Sequence, residues 1–293
     1  MDTYKWTKRL IGVNGIDLYT EMAGPENGEL VLLLHGFPEC SYGWKKQADA
    51  LVEQGYRVVV PNMRGYSKSS KPKPLEAYTL DVIAKDITNL IQSFGCEKAL
   101  VVGHDWGGIV GWFLASVYPD FVQKLVILNV PHPAVFAKAA PFYPLQWLKS
   151  AYIFFFQLPF LPEWLLKRNE YSLLEKLMKA TAHPGTFDEK DMRVYKEAWA
   201  EKGSVTAMLN WYRAMRQQDF FDISAPGPAV PVRMLWGRKD ATLSLILAKK
   251  SVEQCGNGQL VLIDEATHWL HHEYPEIVSA WISRFLKEEA SGS

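Results

Sequence analysis

The chain has 293 residues, of which 48% are hydrophobic, and its 32 basic and 32 acidic residues give a formal net charge of zero. A neutral chain offers no excess of positive charge to phosphate groups, so we do not expect a nucleic-acid-binding protein. Cys40, Cys96 and Cys255 are odd in number and far apart, which argues against a disulfide framework and favours a reducing, cytoplasmic compartment.

Short apolar runs alternate with helical patterns in the first 130 residues. Residues 30–34 are nearly all apolar, as in a strand that is covered on both faces of a parallel sheet. Between Leu80 and Phe94 apolar residues recur at helical spacing, and Thr79 stands where a helix N-cap is expected. The alternation predicts an α/β fold whose ligand chemistry lies at the carboxyl edge of the strands. Further strands are predicted at 16–20, 57–60, 98–102 and 125–128.

One reactive side chain, Asp105, lies between Gly103 and the pair Gly107 and Gly108. A predicted strand precedes it and a buried helical pattern follows, which is the layout of a nucleophile elbow. The glycines are needed because strand, turn and helix crowd one another at such a turn. The nucleophile position holds an aspartate instead of the more common serine or cysteine.

Strand patterns disappear between Pro131 and Gly227, where aromatic residues are frequent and two helices are predicted at 189–201 and 205–217. The α/β pattern then resumes, with strands at 232–235 and 260–263 and a closing helix at 275–287. The sequence therefore predicts an α/β core formed by 1–130 and 228–293, with a helical insertion at 131–227.

The insertion contains the most apolar stretch of the chain, residues 151–166. This stretch is shorter than the ~20 residues of a membrane-spanning helix, and Pro159 and Pro162 interrupt it. The first fourteen residues contain no apolar run typical of a signal peptide. We therefore expect no membrane span.

Three further motifs each follow a predicted strand. They are His35-Gly36-Phe37-Pro38, Trp236-Gly237 followed by Asp240, and Thr267-His268-Trp269. With the elbow, they make the chain resemble an α/β-hydrolase with a helical cap, most similar to the soluble-type epoxide hydrolases, and the chain order of nucleophile, acid and histidine matches that fold. The resemblance covers almost the whole chain and implies a mostly parallel eight-stranded sheet flanked by helices, with a cap at 131–227. No cofactor is expected, since the sequence has no Rossmann or Walker glycine pattern.

The chemistry of Asp105 can also be argued from the residue itself. A carboxylate with an ordinary pKa of ~3.9 is ionised at neutral pH and attacks a saturated carbon that carries a leaving group. Water must then hydrolyse the resulting ester, which requires a base, His268, oriented by Asp240, and an oxyanion hole. By analogy with the fold, the backbone N–H groups of Phe37 and Trp106 form that hole.

Other histidines are close to His268 in the sequence. We expect no metal site among His268, His271 and His272, because the adjacent His271 and His272 would point apart at the start of a helix. His35 and His104 are expected to be packed, hydrogen-bonded neighbours of the site.

Two leaving groups suit a carboxylate nucleophile, a halide or an epoxide oxygen. Haloalkane dehalogenases typically have asparagine after the His-Gly pair, where this chain has Phe37. The resemblance to epoxide hydrolases implies two cap tyrosines that donate hydrogen bonds to the epoxide oxygen, and Tyr152 and Tyr212 match their patterns. A half-buried tyrosine with another partner is the alternative for each. Pro38 and Phe156 are expected to line an apolar substrate pocket.

Glu39 follows Pro38 closely enough to reach the hydrolytic water, as in plant-type relatives, although a solvated loop carboxylate is the alternative. The expected partners are a small apolar epoxide and water, with the protein acting as a monomer or homodimer. A haloalkane dehalogenase is the main alternative. A non-catalytic binding or receptor protein on the same fold is less favoured, since Asp105, Asp240 and His268 are all present.

Overall fold

The structure is a computed structural model that describes residues 5–139, 142–143, 146, 149, 151–217 and 227–288. Its eight strands form one sheet in the order β1-β2-β4-β3-β5-β6-β7-β8. Strand β2 pairs antiparallel with both β1 and β4, and β3 to β8 run parallel to one another. The strands are β1 Thr7–Val13, β2 Ile16–Ala23, β3 Leu30–Leu34, β4 Arg57–Pro61, β5 Ala99–His104, β6 Val122–Leu128, β7 Val232–Gly237 and β8 Gly258–Ile263.

The described helices flank the sheet or lie between β6 and β7. They are α1 Lys45–Val52, α2 Leu80–Ser93, α3 Trp106–Val117, α4 Pro133–Ala139, α5 Ala151–Phe156, α6 Leu161–Thr181, α7 Glu189–Ala200, α8 Ser204–Ala214, α9 Leu245–Val252, α10 Leu270–Glu273 and α11 Pro275–Lys287. Short 3-10 helices occur at Ser41–Trp44, Leu75–Tyr78 and Pro119–Phe121.

The sheet separates two hydrophobic layers because successive side chains of a strand point to opposite faces. In β3, Leu32 and Leu34 pack into the layer that contains α2 and α3. Val31 and Leu33 pack into the other layer, with residues of α1 and α11. A strand buried on both faces must be apolar at every position, which explains the uninterrupted run that identified β3. The structure thus has the predicted mostly parallel eight-stranded sheet flanked by helices.

Strand β1 was not found in the sequence pattern. Five of its seven residues, Thr7 to Leu10 and Gly12, are exposed, because it pairs only with β2 at the edge of the sheet. An edge strand with little burial lacks the apolar alternation from which strands are recognised. Thr79 does precede α2, as predicted, but its hydroxyl donates to the Glu76 carbonyl and does not cap the helix.

Helices α4 to α8, here called the cap helices, lie between β6 and β7 in the chain. Two tryptophans of α7 and α8 hold them to loops at the carboxyl edge of the sheet. The indole N–H of Trp199 donates to the Pro38 carbonyl at 2.6 Å, and that of Trp211 donates to the Arg64 carbonyl at 2.9 Å. The domain boundaries at 131 and 227 stay predictions. None of the helices in the described ranges has both the length and the apolar character needed to cross a membrane.

Candidate active site

Asp105 lies in the turn between β5 and α3, with backbone angles φ 49° and ψ −121°. A positive φ is strained for a residue with a Cβ, and such strain is typical of functional turns. A Cβ on Gly107 would approach the Leu34 carbonyl oxygen to 2.0 Å, and one on Gly103 would lie 2.4 Å from the Gly107 carbonyl oxygen. The two glycines are therefore required by close backbone packing, which fixes the position of Asp105 above the sheet.

The loop after β3 approaches the Asp105 side chain. The backbone N–H of Phe37 donates to Oδ1 of Asp105 at 2.8 Å. The close approach depends on Gly36, since a Cβ there would lie 2.4 Å from the Cβ of Asp105. Trp106 is buried as the first residue of α3. That the backbone N–H of Trp106 is the second donor of the oxyanion hole stays a prediction.

His268 lies between two carboxylates. Its Nδ1 is 2.8 Å from Oδ2 of Asp240, and its Nε2 is 3.8 Å from Oδ2 of Asp105, which is longer than a hydrogen bond. Burial by itself would lower the pKa of His268, but the charge and hydrogen bond of Asp240 and the charge of Asp105 outweigh it and raise this pKa to about 8. The ring is thus placed to exchange a proton at Nε2 while Asp240 holds Nδ1.

Asp240 is fixed by neighbours on both oxygens. Its Oδ1 accepts from the backbone N–H groups of Thr242 and Leu243 and from the Thr242 hydroxyl. Burial would raise the pKa of Asp240, but His268 and these hydrogen bonds outweigh it and hold the pKa below its ordinary value. Asp240 therefore remains a carboxylate that orients His268.

Asn129 is a site residue to which the sequence analysis gave no role. It follows β6 with φ 46°, and its amide nitrogen donates to Oδ2 of Asp240 at 2.7 Å and to the Thr267 carbonyl at 3.0 Å. Its amide oxygen accepts from the Gly237 N–H at 2.7 Å. Asn129 thus joins the ends of three strands of the sheet. In the sequence, the signal that could have identified Asn129 is an amide residue directly after a buried strand.

Tyr152 and Tyr212 face each other above Asp105. Their ring centroids are 5.9 Å apart. Tyr212 is buried against Phe37 and Trp106. Desolvation, followed by the charge of Asp105, raises the pKa of Tyr152, and burial raises that of Tyr212 far above its ordinary value. Both phenols are therefore neutral hydrogen-bond donors at neutral pH.

Two cavities meet at Asp105, and both tyrosines line each of them. The larger has a volume of about 410 Å³ and is lined by mostly apolar side chains, including Phe156 and Pro38. The smaller has a volume of about 60 Å³. Its other lining residues are Trp106, Ile109, Val130, Pro131, Pro133, Phe136, Ile153, Met215 and Leu243. The nucleophile thus lies between a large and a small apolar space.

His35 lies under the Asp105 loop. Its Nδ1 is 3.0 Å from the Gly36 carbonyl oxygen, and its Nε2 accepts from the Met63 N–H at 3.0 Å. Burial lowers its pKa to about 4. His35 is thus a neutral, hydrogen-bonded neighbour of the loop.

Glu39 is buried and its carboxylate contacts three histidines and Tyr195 of α7. The expectation that His271 and His272 point apart was wrong. Their rings lie 4.3 Å apart, and Nε2 of each ring reaches Glu39, at 3.3 Å and 2.6 Å respectively. The short helix α10 and the tight turn before it bring both rings to the same carboxylate. Water binding by Glu39 stays a prediction.

Comparison with known proteins gives the same fold. The family model described as alpha/beta hydrolase fold matches residues 29–275. The chain is 47% identical to the AB hydrolase superfamily protein YfhM of Bacillus subtilis (strain 168), over 96% of this chain and 98% of that protein. It is 34% identical to human Epoxide hydrolase 4, over 94% of this chain and 77% of that protein.

Solved structures of epoxide hydrolases have the same fold as this chain. A crystal structure of Bacillus megaterium epoxide hydrolase in complex with an inhibitor superposes with a TM-score of 0.88 at 32% identity, covering 96% of this chain and 100% of that one. Epoxide Hydrolase A from Mycobacterium thermoresistibile gives a TM-score of 0.84 at 28% identity, covering 97% and 98% of the two chains. This chain therefore belongs to the alpha/beta hydrolase fold family and, within it, to the epoxide hydrolases.

Proposed function

We propose that the protein hydrolyses apolar epoxides to vicinal diols through a covalent ester on Asp105. The observation that carries this proposal is the pair of neutral phenols, Tyr152 and Tyr212, which line both cavities beside Asp105. A nucleophile and a proton donor on opposite sides of a strained ring are what ring opening requires. Relatives named epoxide hydrolases support the same reaction.

In the first step, Oδ2 of Asp105 attacks one epoxide carbon and the bond between that carbon and the ring oxygen breaks. The electron pair of that bond passes to the oxygen, which is hydrogen-bonded and then protonated by the phenols. Oδ1 already accepts from the Phe37 N–H. Oδ1 therefore becomes the ester carbonyl oxygen and remains in the oxyanion hole.

In the second step, water attacks Cγ of Asp105 while Nε2 of His268 takes a proton from it. The negative charge that develops on Oδ1 is stabilised by the N–H of Phe37 and, as we propose, of Trp106. Asp240 stabilises the imidazolium through Nδ1. When the tetrahedral intermediate collapses, the bond between Cγ and the ester oxygen breaks, and that oxygen takes the proton from Nε2 of His268 and leaves as a hydroxyl of the diol. The new carboxylic acid of Asp105 then loses its proton, and the phenolate left by the first step regains one. The diol of this turnover retains one former oxygen of Asp105.

The volumes of the two cavities support a substrate with one large and one small apolar substituent on the epoxide. The larger substituent would occupy the 410 Å³ cavity under Phe156. The cysteines Cys40, Cys96 and Cys255 are free, which supports the proposal of a cytoplasmic enzyme.

The position of labelled oxygen tests this proposal. With enzyme in excess over styrene oxide in ¹⁸O-water, the diol of the first turnover should carry almost no label, because its new oxygen comes from the Asp105 carboxylate. The label should appear in the peptide that contains Asp105, as measured by mass spectrometry. A fully labelled first-turnover diol with an unlabelled peptide would show direct attack by water and would remove Asp105 from the nucleophile role.

The pH dependence of ester hydrolysis should follow His268. The base must be neutral, so hydrolysis should be slow at low pH and rise as the pH passes the pKa of the imidazole. That pKa is about 8 in the free enzyme, and one of its causes is the charge of Asp105, which the ester abolishes. Asp240, Glu39 and His104 still face the ring. Single-turnover hydrolysis should therefore rise through an apparent pKa below 8 and then level off. A rate that is constant or falls between pH 6 and 9 would contradict the base role.

A further inference from the structure

Glu39 lies at the centre of a buried group that joins four separate parts of the chain. The group, here called the Glu39 network, also contains His104, Tyr195, His271 and His272. Glu39 follows the loop of Phe37, and His104 immediately precedes Asp105. The two adjacent histidines lie in α10, just after His268, and Tyr195 belongs to cap helix α7.

Each oxygen of Glu39 has two partners. Oε1 accepts from the Tyr195 hydroxyl at 2.9 Å and contacts Nε2 of His272 at 2.6 Å. Oε2 contacts Nδ1 of His104 at 3.2 Å and Nε2 of His271 at 3.3 Å. A carboxylate offers about four lone-pair sites, so these four partners occupy them all. The side chains of Glu39, His104 and His271 are fully buried, and that of His272 is only 11% exposed.

Both ring nitrogens of His104 face oxygen acceptors. Nε2 of His104 lies 3.0 Å from the backbone carbonyl oxygen of His268, and its Nδ1 lies 3.2 Å from Oε2 of Glu39. Burial would raise the pKa of Glu39, but the histidines outweigh it and hold that pKa well below its ordinary value. A carboxylate surrounded by four donors is consistent with both facts.

The distances within this cluster do not fit a bound metal ion. Glu39, His271 and His272 do present ligand atoms within 4.8 Å of one another. A tetrahedral Zn²⁺ with bonds of ~2.0–2.2 Å would place neighbouring ligand atoms about 3.3–3.6 Å apart. The Oε1 to Nε2 distance of 2.6 Å is a direct hydrogen bond instead.

We propose that Glu39 is a positioning residue. Its hydrogen bonds with Tyr195, His104, His271 and His272 fix the relative positions of the Phe37 loop, the Asp105 turn and the His268 loop when the cap helices are docked on the core. With its lone pairs occupied, Glu39 does not bind the hydrolytic water. Tyr195 is the only member of the network from the cap helices, so it couples cap docking to the geometry of the catalytic loops. The kinetic part of this inference rests on the proposed function.

The two roles of Glu39 affect different steps. A residue that binds the hydrolytic water acts only when the ester is hydrolysed. A residue that positions the Phe37 loop also acts during alkylation, because the Phe37 N–H is bonded to Asp105 before the ester forms. Single-turnover rates of alkylation and hydrolysis, measured by quenched-flow intact mass, separate them.

The first test uses Tyr195→Phe, with Tyr42→Phe as its matched control. Tyr42 also joins core and cap, but its hydroxyl donates to Asp191 at 2.8 Å and does not contact Glu39. Loss of a hydrogen bond to a charged group corresponds to about a tenfold effect or more. We expect Tyr195→Phe to slow both alkylation and hydrolysis by roughly tenfold, whereas Tyr42→Phe should match the wild type. An unchanged alkylation rate in Tyr195→Phe overturns the proposal.

The second test uses Glu39→Gln and the pair His272→Gln and His272→Ala. Glu39→Gln should slow both steps, and a loss confined to hydrolysis would restore the water-binding role and overturn ours. His272→Gln retains an N–H donor and should keep more alkylation activity than His272→Ala. Thermal unfolding shows whether each variant folds. If Glu39→Gln does not fold, the alkylation rate of Tyr195→Phe decides.

Amide hydrogen exchange tests the network without reference to the reaction. In Tyr195→Phe, the peptides that cover 36–41 and 268–273 should exchange faster than in the wild type, and in Tyr42→Phe they should not. Unchanged exchange in both variants overturns the positioning role. If the wild type forms no adduct on Asp105, the proposed function is wrong. Hydrogen exchange alone then shows whether Glu39 positions the catalytic loops.

Discussion

The His268→Gln variant should form the alkyl ester on Asp105 and fail to release it. Alkylation needs the carboxylate and the phenols, whereas hydrolysis needs a base at Nε2, which lies 3.8 Å from Asp105. Removing a general base should lower turnover by ~10²–10⁴. Asp240→Ala should have the same effect, because Nδ1 of His268 loses the partner at 2.8 Å that orients the ring.

The measurement is the intact mass of the protein after mixing with styrene oxide, followed by peptide mapping of the adduct to Asp105. His183→Gln serves as the control, since the His183 ring is partly exposed and contacts the Glu265 carbonyl. Normal turnover in His268→Gln, with no adduct, would show that another group is the base. His271 and His272 would then have to be considered, although both are bonded to Glu39.

The double variant Tyr152→Phe and Tyr212→Phe should be nearly inactive, with the loss in the alkylation step. An alkoxide is a poor leaving group, and removal of one donor to developing oxyanion charge commonly costs ~10²–10³ in rate. The single variants should lose less, because two donors to one oxygen are partly redundant. Desolvation and the charge of Asp105 raise the pKa of both phenols, so each is neutral and can donate.

Pre-steady-state alkylation with styrene oxide measures this effect. Tyr118→Phe is a suitable control, because the Tyr118 hydroxyl donates to Asp81, outside the cavity residues. A double variant with the alkylation rate of the wild type would exclude the tyrosines as the acid. Release of halide from a bromoalkane would then be measured, since a halide leaves without a proton.

The amino-acid sequence by itself determined the features that depend on local pattern. The buried parallel strands are continuous apolar runs, because both of their faces are covered, and Leu30–Leu34 and the closing helix Pro275–Lys287 have the predicted bounds. The turn at Asp105 needs small neighbours, so its glycines identify it. Each motif follows a strand, and parallel strands place such residues at one edge of the sheet. The sequence alone therefore predicts that Asp105, Asp240 and His268 lie close together.

Only the tertiary structure decided which polar groups become partners. Asn129 orients Asp240 from 111 positions away in the chain, and no local pattern encodes such a contact. Glu39 could be read from its loop as a water ligand or a solvated carboxylate. In the folded protein it is buried, and three histidines and a cap tyrosine from three distant segments contact its oxygens. A buried carboxylate must find donors or lose its charge. Which donors these are depends on how α7 and α10 pack over the sheet, and this packing is a property of the whole fold.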